Sequence, residues 1–391
     1  MLRAQLDHIV GQVLDYSEAV SDVLFSAGKP IQAEVFGELQ TVPLGLEDEP
    51  LLPFQTEAVA MCLMGNNLRL YRDLLEHGSC DLSYELQGRA RFRVNVFGRM
   101  GSLSIVMRQL SMHVPTMDEL SLPEVFKEMA REKFGLILVT GATGSGKSTS
   151  LAALIDAMNT QFSAHIITLE DPVEYMHPHK KATVNQREMG LDFDSFASGL
   201  RAALRQAPKV ILVGEIRDHE TIEIALQAAE TGHLVLGTLH TADTGQTINR
   251  IIGMFDPSEE RLIRQRLAES MKFIASQRLL QKIGGGRVAA FEIMRTSLRI
   301  RDIVLNGESE DKTFYNVLED GGNYGMVTFD RYLSNLFESG KITEEMAMAY
   351  ASDRPRLGRT IDEIKTRRGE KVTDIDGLEI DSGYAEQHEK G

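Results

Sequence analysis

The amino-acid sequence predicts an α/β protein in which a small α+β domain precedes a parallel sheet covered by helices, followed by a helical C-terminal region. Three observations support this fold class. Apolar and polar residues alternate at 89–97, as in a half-buried strand. From residue 136 onward, short apolar runs alternate with segments of helical periodicity, which is typical of a parallel sheet buried on both faces. The length of 391 residues suggests two or three domains.

The first domain is predicted to cover residues 1–112. It opens with apolar residues at helical spacing between Leu2 and Leu14, which indicates an amphipathic helix. In the strand at 89–97, Arg91 and Arg93 alternate with apolar residues and are therefore expected on the face away from the core. Its other predicted elements are strands at 23–25, 33–36 and 103–108 and a helical stretch at 55–76.

A linker is predicted at 113–122, which contains Pro115 and is followed by Pro123, and the larger domain covers 123–351. Beyond Pro257 the sequence is expected to be mostly helical, interrupted by the glycines at 284–286. Residues 352–391 are rich in mixed charge and are expected to form a charged tail, mobile or loosely attached as a helix. The larger domain's predicted elements are strands at 136–139, 166–169, 210–213 and 234–238, and helices at about 147–159, 194–206, 218–230 and 244–253.

Composition narrows the function classes. Acidic residues outnumber basic ones by 57 to 42, a net charge of −15, which argues against nonspecific nucleic-acid binding through the phosphate backbone. Cys62 and Cys80 are too few for a disulfide scaffold or a tetracysteine zinc site, and we expect reduced thiols in a cytosolic protein. No apolar run approaches the ~18 residues of a membrane span. The N-terminus contains Asp7 and His8 and no continuous apolar segment, so neither a secretory signal nor a transmembrane segment is expected.

A glycine-rich segment at 141–149 follows the first apolar run and precedes a helical segment. Its sequence, GATGSGKST, fits the phosphate-loop pattern G-x-x-x-x-G-K-[ST]. Glycines allow backbone N–H groups to surround phosphate oxygens, and the helix N-terminus adds positive potential. Lys147 is expected to lie against the β- and γ-phosphates of a nucleotide, and the Ser148 hydroxyl to ligate Mg²⁺. The predicted nucleotide-binding residues are Thr143, Gly144, Ser145, Gly146, Lys147, Ser148 and Thr149.

Two of the later apolar runs end in carboxylates. Glu215 follows the run at 210–213, and Glu170, Asp171 and Glu174 follow the run at 166–169. Because α/β sheets bind ligands at the carboxyl ends of their strands, we expect all four near the nucleotide. Glu215 could orient the attacking water or support Mg²⁺ through water, and the crowding of the other three favours a nearby cation. The alternatives are a surface glutamate that starts a helix and a solvated acidic turn.

Two histidines flank the apolar run at 234–238. His233 and His240 are seven residues apart, so on one strand they face opposite sides and cannot both ligate one metal. His240, at the carboxyl end, is the better candidate for sensing a γ-phosphate, and the alternative for each is a core histidine.

Arg91, Arg93 and Arg108 are far in sequence from the phosphate loop. Surface arginines are common, so a solvated strand face explains them most simply. They could instead supply positive charge to phosphates, including those bound by a neighbouring subunit, as arginine fingers do.

Four segments together resemble the motifs of the secretion ATPase superfamily, in the same order and spacing. Residues 141–149 resemble its Walker A motif, 167–174 its Asp box, 212–218 its atypical Walker B motif, which includes Arg217, and 231–241 its His box. Residues 201–208 are similar to the segment that precedes Walker B. Within the superfamily, residues 21–351 are similar to the PilT- and PilU-like retraction ATPases of type IV pili.

This resemblance implies a PAS-like first domain, a RecA-like ATPase domain and a homohexameric ring that holds ATP between domains and subunits. It implies that Glu174 or Glu215 activates water, and that Arg91, Arg93 and Arg108 face phosphates. The implied activity is Mg²⁺-dependent ATP hydrolysis that turns an inner-membrane platform protein, so that the pilus retracts and drives twitching motility. The implied location is cytoplasmic, peripheral to the inner membrane, and a paralogous retraction ATPase is a further candidate partner.

Several alternatives remain at this point. Residues 297–304 differ from the retraction-linked motif Ala-Ile-Arg-Asn-Leu-Ile-Arg-Glu, which keeps open an accessory PilU-like role. Pilus assembly and type II secretion ATPases share the four motifs but usually carry a tetracysteine site, whereas no cysteine follows Cys80, so retraction is favoured. A RecA-like DNA translocase would need a basic groove, against the acidic composition. A regulatory subunit that binds nucleotide without turnover would not need both Glu174 and Glu215.

Overall fold

The computed structural model describes residues 1–43 and 49–370, and these form two sheets. We call residues 1–110 the N-terminal region and residues 111–370 the larger region. Within the described residues, no helix combines the length and the apolar character needed to cross a bilayer.

The N-terminal region contains a six-stranded sheet in which every pairing is antiparallel. Its elements are α1 (Arg3–Tyr16), β1 (Val20–Ser26), β2 (Gln32–Val35), β3 (Glu38–Thr41), α2 (Pro53–Met64), α3 (Leu68–His77), β4 (Ser79–Leu86), β5 (Ala90–Arg99) and β6 (Ser102–Leu110). The strands lie in the order β3-β2-β1-β6-β5-β4. In β5 the alternating pattern buries Phe92 and Val94, and it leaves Arg91 and Arg93 on the other face as predicted. The helices α1 and α2 pack on the buried face through residues such as Leu6.

Three features of this region differ from the sequence prediction. The helical stretch at 55–76 is two helices, because Gly65 takes a positive φ of 55° and its N–H donates to Met61 O, which ends α2. The strand β3 is largely exposed and carries no buried stripe that a pattern could reveal. The strand β4 does alternate, with Cys80 and Tyr84 buried between polar neighbours, so a period-two signal for this unpredicted strand is present in the sequence.

The larger region is built on a seven-stranded sheet in the order β13-β12-β7-β11-β10-β8-β9. Its elements are α4 (Val125–Met129), β7 (Gly135–Thr140), α5 (Lys147–Gln161), β8 (His165–Glu170), β9 (Thr183–Glu188), α6 (Phe196–Ala203), β10 (Val210–Val213), α7 (His219–Glu230), β11 (Leu234–Leu239), α8 (Thr244–Ile252), α9 (Glu260–Ser270), β12 (Met271–Gln281), β13 (Arg287–Arg295), α10 (Leu298–Asn306), α11 (Phe314–Asp320), α12 (Phe329–Glu338), α13 (Glu344–Ala349) and α14 (Arg354–Arg368). From β12 to β9 all neighbouring strands are parallel, and β13 pairs antiparallel with β12.

The predicted βα alternation is confirmed in this sheet. The strands β7, β8, β10 and β11 and the helices α5, α6, α7 and α8 lie where the apolar runs and helical segments predict them. Two separate apolar cores lie on the sheet, one containing Leu226 of α7 and the other Leu154 of α5. The sheet is therefore covered on both faces, as its continuous apolar strands require.

The expectation of a mostly helical segment beyond Pro257 is wrong for residues 271–295. This segment is the hairpin β12–β13, and the glycines at 284–286 form its turn, all at positive φ. The strand β12 pairs with β7 and is buried from residue 273 to 277 on both faces, so it shows no period-two alternation. A strand without alternation cannot be distinguished from a buried helix by periodicity alone.

The prediction of a loosely held tail at 352–391 is corrected for residues 354–368. They form α14, in which Leu357, Ile361 and Ile364 are buried at helical spacing. These residues share an apolar core with Leu333 of α12 and Ala347 of α13, so α14 is a packed part of the fold. Residues 371–391, the rest of the predicted tail, lie outside the described residues.

A buried carboxyl group fastens the unpredicted hairpin to α8. Glu292 of β13 is 5% exposed, and its Oε1 accepts hydrogen bonds from Thr244 N at 2.9 Å and from Thr244 Oγ1 at 2.8 Å. Burial raises the pKa of Glu292, although the Thr244 hydrogen bonds oppose this shift.

We predict that Glu292→Ala lowers the free energy of unfolding by about 1–3 kcal/mol, because it leaves buried Thr244 donors without an acceptor. Glu292→Gln keeps an amide oxygen for Thr244 and removes a charge that burial disfavours, so it should be more stable than Glu292→Ala. Thermal unfolding of both variants checks this.

The same comparison has a pH dependence. The raised pKa means that the folded chain holds a proton more tightly at Glu292 than the unfolded chain does. Acidification therefore stabilises the wild type relative to Glu292→Gln, and any advantage of the Gln variant at pH 8 should shrink as the pH approaches 5. Equal losses in Glu292→Gln and Glu292→Ala at both pH values would contradict this account.

Candidate nucleotide-binding site

The carboxyl ends of β7, β8, β10 and β11 meet at one edge of the sheet, beside a cavity of about 530 Å³. Parallel pairing aligns Leu169 with Val213, and Val213 with Gly237, so the segments that follow these strands emerge side by side. The sequence-predicted residues that line the cavity are Arg93, Thr143, Gly144, Gly146, Lys147, Ser148, Thr149, Glu170, Asp171, Glu174, Glu215, Arg217 and His240.

The phosphate loop connects β7 to α5, as its motif predicts. Gly141, Gly144 and Gly146 all adopt positive φ, a backbone conformation that residues with a Cβ atom rarely adopt. Space is also restricted: a Cβ on Gly141 would lie 2.3 Å from Gln277 O, and one on Gly146 would lie 2.8 Å from Gln277 Nε2. Glycine is therefore required at 141 and 146 both by backbone conformation and by the approach of β12.

Gln277 is a supporting residue that the sequence analysis missed. It is 3% exposed, and its Oε1 accepts a hydrogen bond from Ser150 Oγ of α5 at 2.9 Å. The side chain thus fixes the first turns of α5, and its backbone borders Gly141. No signal pointed to it, because its strand was predicted to be helical.

The phosphate loop concentrates hydrogen-bond donors at the start of α5. Lys147 Nζ donates to Gly141 O at 2.9 Å and to Ala142 O at 3.0 Å. Burial lowers the pKa of Lys147, although the charges of Glu215 and Glu174 oppose this shift. Ser145 Oγ is buried and has no hydrogen-bond partner in the described part of the chain. An ammonium group, a spare hydroxyl and the N-terminus of α5 together suit a phosphate chain.

The donor set also fits Mg²⁺ carried by a nucleotide. Mg²⁺ usually keeps several waters and takes one or two protein oxygens beside phosphate oxygens. Ser148, in the first turn of α5, and Glu215 both line the cavity and could serve in these two ways. In residues 1–43 and 49–370, no three His, Cys, Asp or Glu side chains form a group able to hold a metal. These three carboxyl groups, Glu170, Asp171 and Glu174, therefore form no metal site by themselves, and their expected role near a nucleotide-bound cation stays a prediction.

The carboxyl groups of Glu170 and Asp171 are held by their surroundings. Glu170 Oε1 accepts hydrogen bonds from Thr168 Oγ1 at 2.6 Å and from Gln186 Nε2 at 3.1 Å. Burial raises the pKa of Glu170 in spite of these bonds. Burial likewise raises the pKa of Asp171, against the nearby charges of Arg93 and Arg217. Both residues therefore favour the protonated form more than ordinary surface carboxyl groups do.

The other two carboxylates differ from each other in their partners. Glu215 accepts from Arg217 Nε at 2.5 Å and Nη2 at 2.7 Å, and His240 Nε2 lies 3.2 Å from Glu215 Oε1. Partial burial would raise the pKa of Glu215, but Arg217 and His240 outweigh it, so the pKa is lowered. Glu174 is exposed to the cavity and forms no ion pair with any described residue. Of the two, Glu174 has the more accessible carboxylate.

His233 lies away from the cavity. Its Nδ1 is 3.1 Å from Ala228 O at the C-terminal end of α7, next to the amino end of β11. His240 follows the carboxyl end of β11, so the two histidines lie at opposite ends of the strand, and only His240 lines the site.

The three predicted arginines have different surroundings. Arg93 lines the cavity, its side chain is 53% exposed, and its Nε lies 4.0 Å from Asp81 Oδ1 in a loose ion pair. Arg91 Nη2 donates to Glu188 Oε2 at 2.5 Å, and Arg108 Nε donates to Asp22 Oδ1 at 2.9 Å. Within one chain, Arg91 and Arg108 therefore pair with carboxylates and do not line the cavity.

Further lining residues were not singled out from the sequence. Tyr175 OH lies 3.1 Å from Thr149 Oγ1, so the aromatic residue closes the cavity beside α5. Thr238 Oγ1 donates to Gly214 O at 2.5 Å and thereby links β11 to the segment before Glu215. Arg287, at the start of β13, adds a further cation to the lining.

Comparisons with known proteins agree with this geometry. Residues 76–311 match the family model described as type II/IV secretion system protein. The chain is 44% identical to the type IV pilus retraction ATPase PilT of Pseudomonas aeruginosa over 332 residues, which covers 84% of this chain and 94% of that protein. It is 39% identical to the type IV pilus ATPase PilU of the same organism, covering 85% of each chain.

One solved structure is similar over nearly the whole fold. The crystal structure of the pilus retraction motor PilT with bound ADP superposes with a TM-score of 0.80 at 41% identity, covering 90% of this chain and 99% of that chain. The predicted resemblance to pilus retraction ATPases is thereby confirmed.

We predict that Lys147→Ala lowers the rate of ATP hydrolysis by at least ~10²-fold, because it removes the ammonium group that would stabilise the phosphate charge. Lys133→Ala, which removes an exposed lysine just before β7, is the matched control and should hydrolyse ATP at the wild-type rate. Phosphate release measured with both variants checks the assignment, and normal turnover by Lys147→Ala would refute it.

Proposed function

Because the chain belongs to the type II/IV secretion system protein family, we propose that it is an ATPase whose Mg²⁺-dependent hydrolysis of ATP powers retraction of a type IV pilus. The observation that carries this proposal is the cavity in which the phosphate loop, Glu174, Glu215 and His240 come together. The similarity to a retraction ATPase over most of the chain supports retraction of the pilus as the process that hydrolysis powers.

In the proposed reaction the phosphate loop binds and orients the triphosphate. Backbone N–H groups at 143–148 and the Lys147 ammonium stabilise the negative charge that develops during phosphoryl transfer. Mg²⁺, when bound with the nucleotide, neutralises charge on the β- and γ-phosphates. The Ser148 hydroxyl would hold that ion, and Glu215 would approach it through water.

Glu174 is the better candidate for the residue that activates water. Its carboxylate is exposed to the cavity and has no ion-pair partner among the described residues, so it can accept a proton from water. Both oxygens of Glu215 accept from Arg217, and these charge-assisted bonds make its carboxylate a weaker proton acceptor. We assign Glu215, Arg217 and His240 to holding the wall of the site that faces the γ-phosphate.

The proposal includes a homohexameric ring. In such a ring, one of the three candidates Arg91, Arg93 and Arg108 would face phosphates bound by a neighbouring subunit or by its own chain. Arg93 fits this role best, because it is half exposed and lines the cavity. We also propose that the antiparallel sheet of residues 1–112 is a PAS-like domain, that 113–122 is a linker, and that 123–351 is a RecA-like ATPase domain.

The proposed partner of the ring is an inner-membrane platform protein of the pilus machine, which the motion of the subunits would turn. The chain would then act in the cytoplasm, peripherally associated with the inner membrane. A paralogous retraction ATPase is a further proposed partner, since the chain is similar to both PilT and PilU. The same similarity leaves an accessory, PilU-like role as the second candidate function.

We predict that Glu174→Gln retains nucleotide binding but lowers kcat by ~10²- to 10⁴-fold, the usual contribution of a general base. Glu215→Gln should lower kcat less, since its carboxylate does not take the proton. Binding of a fluorescent ATP analogue and steady-state hydrolysis, measured on both variants, separate binding from turnover. A near-normal kcat for Glu174→Gln beside a large loss for Glu215→Gln would reverse the assignment.

We predict that cells in which this chain carries Lys147→Ala keep surface pili that extend but do not shorten, because the proposed role is retraction and not assembly. Time-lapse imaging of labelled pili measures extension and shortening separately, with Lys133→Ala cells as the control. Cells without surface pili would instead indicate an assembly ATPase. Pili that shorten at the normal rate without load but fail to shorten against a load would indicate the accessory role.

A further inference from the structure

The contact between the two regions of the chain centres on the end of β9. Glu188, the last residue of β9, has a side chain that is 7% exposed. Its Oε1 accepts from Ser83 Oγ at 2.6 Å, and its Oε2 accepts from Arg91 Nη2 at 2.5 Å and from Val173 N at 3.1 Å. We call these four residues the Glu188 latch.

The donors of the Glu188 latch come from both regions. Ser83 lies on β4 and Arg91 on β5, so two of the three hydrogen bonds come from the N-terminal sheet. The third comes from the backbone of Val173, which directly precedes Glu174. One buried carboxylate therefore joins the N-terminal sheet to the segment that carries the proposed water-activating residue.

The segment at 170–177, here called the carboxylate loop, is otherwise held by β9. Gln186 Nε2 donates to Glu170 Oε1 at 3.1 Å and to Tyr175 O at 2.7 Å, and Gln186 Oε1 accepts from His177 N at 2.8 Å. Met189 N donates to Glu170 O at 2.8 Å. Both ends of the carboxylate loop are thus fixed by the larger region, and its middle is fixed through Glu188.

Arg91 contacts the carboxylate loop on a second side. While Nη2 pairs with Glu188, Nη1 lies 3.3 Å from Met176 Sδ, and the Arg91 side chain is only 13% exposed. Glu174 therefore lies between Val173, which is part of the latch, and Met176, which Arg91 contacts. Moving the N-terminal sheet would displace Arg91 and change the support on both sides of Glu174.

Space for such movement exists next to the latch. A second cavity of about 510 Å³ lies between the two regions and is lined by Glu188, Arg69, Asp81, Arg93 and Asp171 among others. Arg93 and Asp171 also line the nucleotide cavity, so the two cavities adjoin. The regions are thus joined at the latch and by a hydrogen bond from Arg69 Nε to Gly190 O at 3.2 Å, with open space beside these contacts.

We propose that Glu188 is a positioning residue that couples the orientation of the N-terminal region to the placement of Glu174. This inference rests on the proposed ATPase function. Arg91 is accordingly assigned to the latch of its own chain, while Arg93 remains the arginine beside phosphate. Separating a buried charge pair leaves an uncompensated buried charge, which strongly destabilises the folded chain. The latch therefore favours a single orientation of the two regions while it is closed.

Steady-state kinetics provide the first test. Glu188→Ala and Arg91→Ala should each lower kcat by ~10- to 100-fold through misplacement of Glu174, with little change in the Kd for ATP. The double variant should be no slower than the slower single variant, because both changes break the same contact. Glu188→Gln keeps an oxygen acceptor for Val173 N and should lose less activity, which separates positioning from a failure to fold.

The matched control is an exposed arginine–carboxylate pair that lies wholly within the N-terminal region. Arg89 Nη2 and Asp15 Oδ1 are 2.6 Å apart, with side chains 45% and 66% exposed. Arg89→Ala and Asp15→Ala should leave kcat unchanged. Additive losses in the Glu188 and Arg91 variants, or losses of the same size in the control pair, would overturn the proposal.

A distance measurement tests the latch without relying on hydrolysis. Spin labels on Glu38→Cys and Glu223→Cys, in a Cys62→Ser background and diluted with unlabelled chains, report the separation of the two regions. The nucleotide-free chain should give one narrow distance distribution, and Glu188→Ala should broaden it. An unchanged distribution in Glu188→Ala would overturn the proposal even if the chain hydrolyses ATP. If the wild-type chain hydrolyses no ATP but Glu188→Ala still broadens the distribution, only the proposed function is refuted.

Discussion

Parallel pairing of β7, β8, β10 and β11 is the constraint on which the arrangement of the site depends. Because the four strands point the same way, the segments that follow them emerge at one edge and bring the phosphate loop, the carboxylate loop, Glu215 and His240 together. A strand reversed in this sheet would send its functional residue to the opposite edge. His233 illustrates this, since it precedes β11 and lies outside the cavity.

The hairpin β12–β13 gives the phosphate loop its second support. β12 pairs with β7 and places Gln277 in close contact with Gly141 and Gly146. The phosphate loop therefore has little room to move on the side of Gln277. The same hairpin contacts α8 through Glu292 and the C-terminal helices through Ala290 and Leu280. The region after Pro257 is therefore connected mechanically to the nucleotide site. The Glu188 latch gives the N-terminal sheet a comparable connection on the other side of the cavity.

The sequence predicted the elements whose signal is local. The phosphate loop, the four central strands and the helices between them follow from glycine spacing and from apolar runs, and Glu215 and His240 were placed by their position after a strand. What it missed depends on tertiary neighbours. β12 is buried on both faces and shows no alternation, and Gln277 acts through contacts with residues more than a hundred positions away. Arg91 and Arg93 look equivalent in sequence, yet one meets Glu188 and the other borders the cavity.

In the proposed motor, the phosphate loop binds the triphosphate and the adjoining regions respond to its cleavage. A crystal structure with Mg²⁺ and a nonhydrolysable ATP analogue tests it most directly. We expect the β- and γ-phosphates within the loop at 143–148, with Lys147 Nζ turned from the carbonyl oxygens of Gly141 and Ala142 towards them. An empty loop, with the nucleotide bound instead in the cavity between the two regions, would contradict the account.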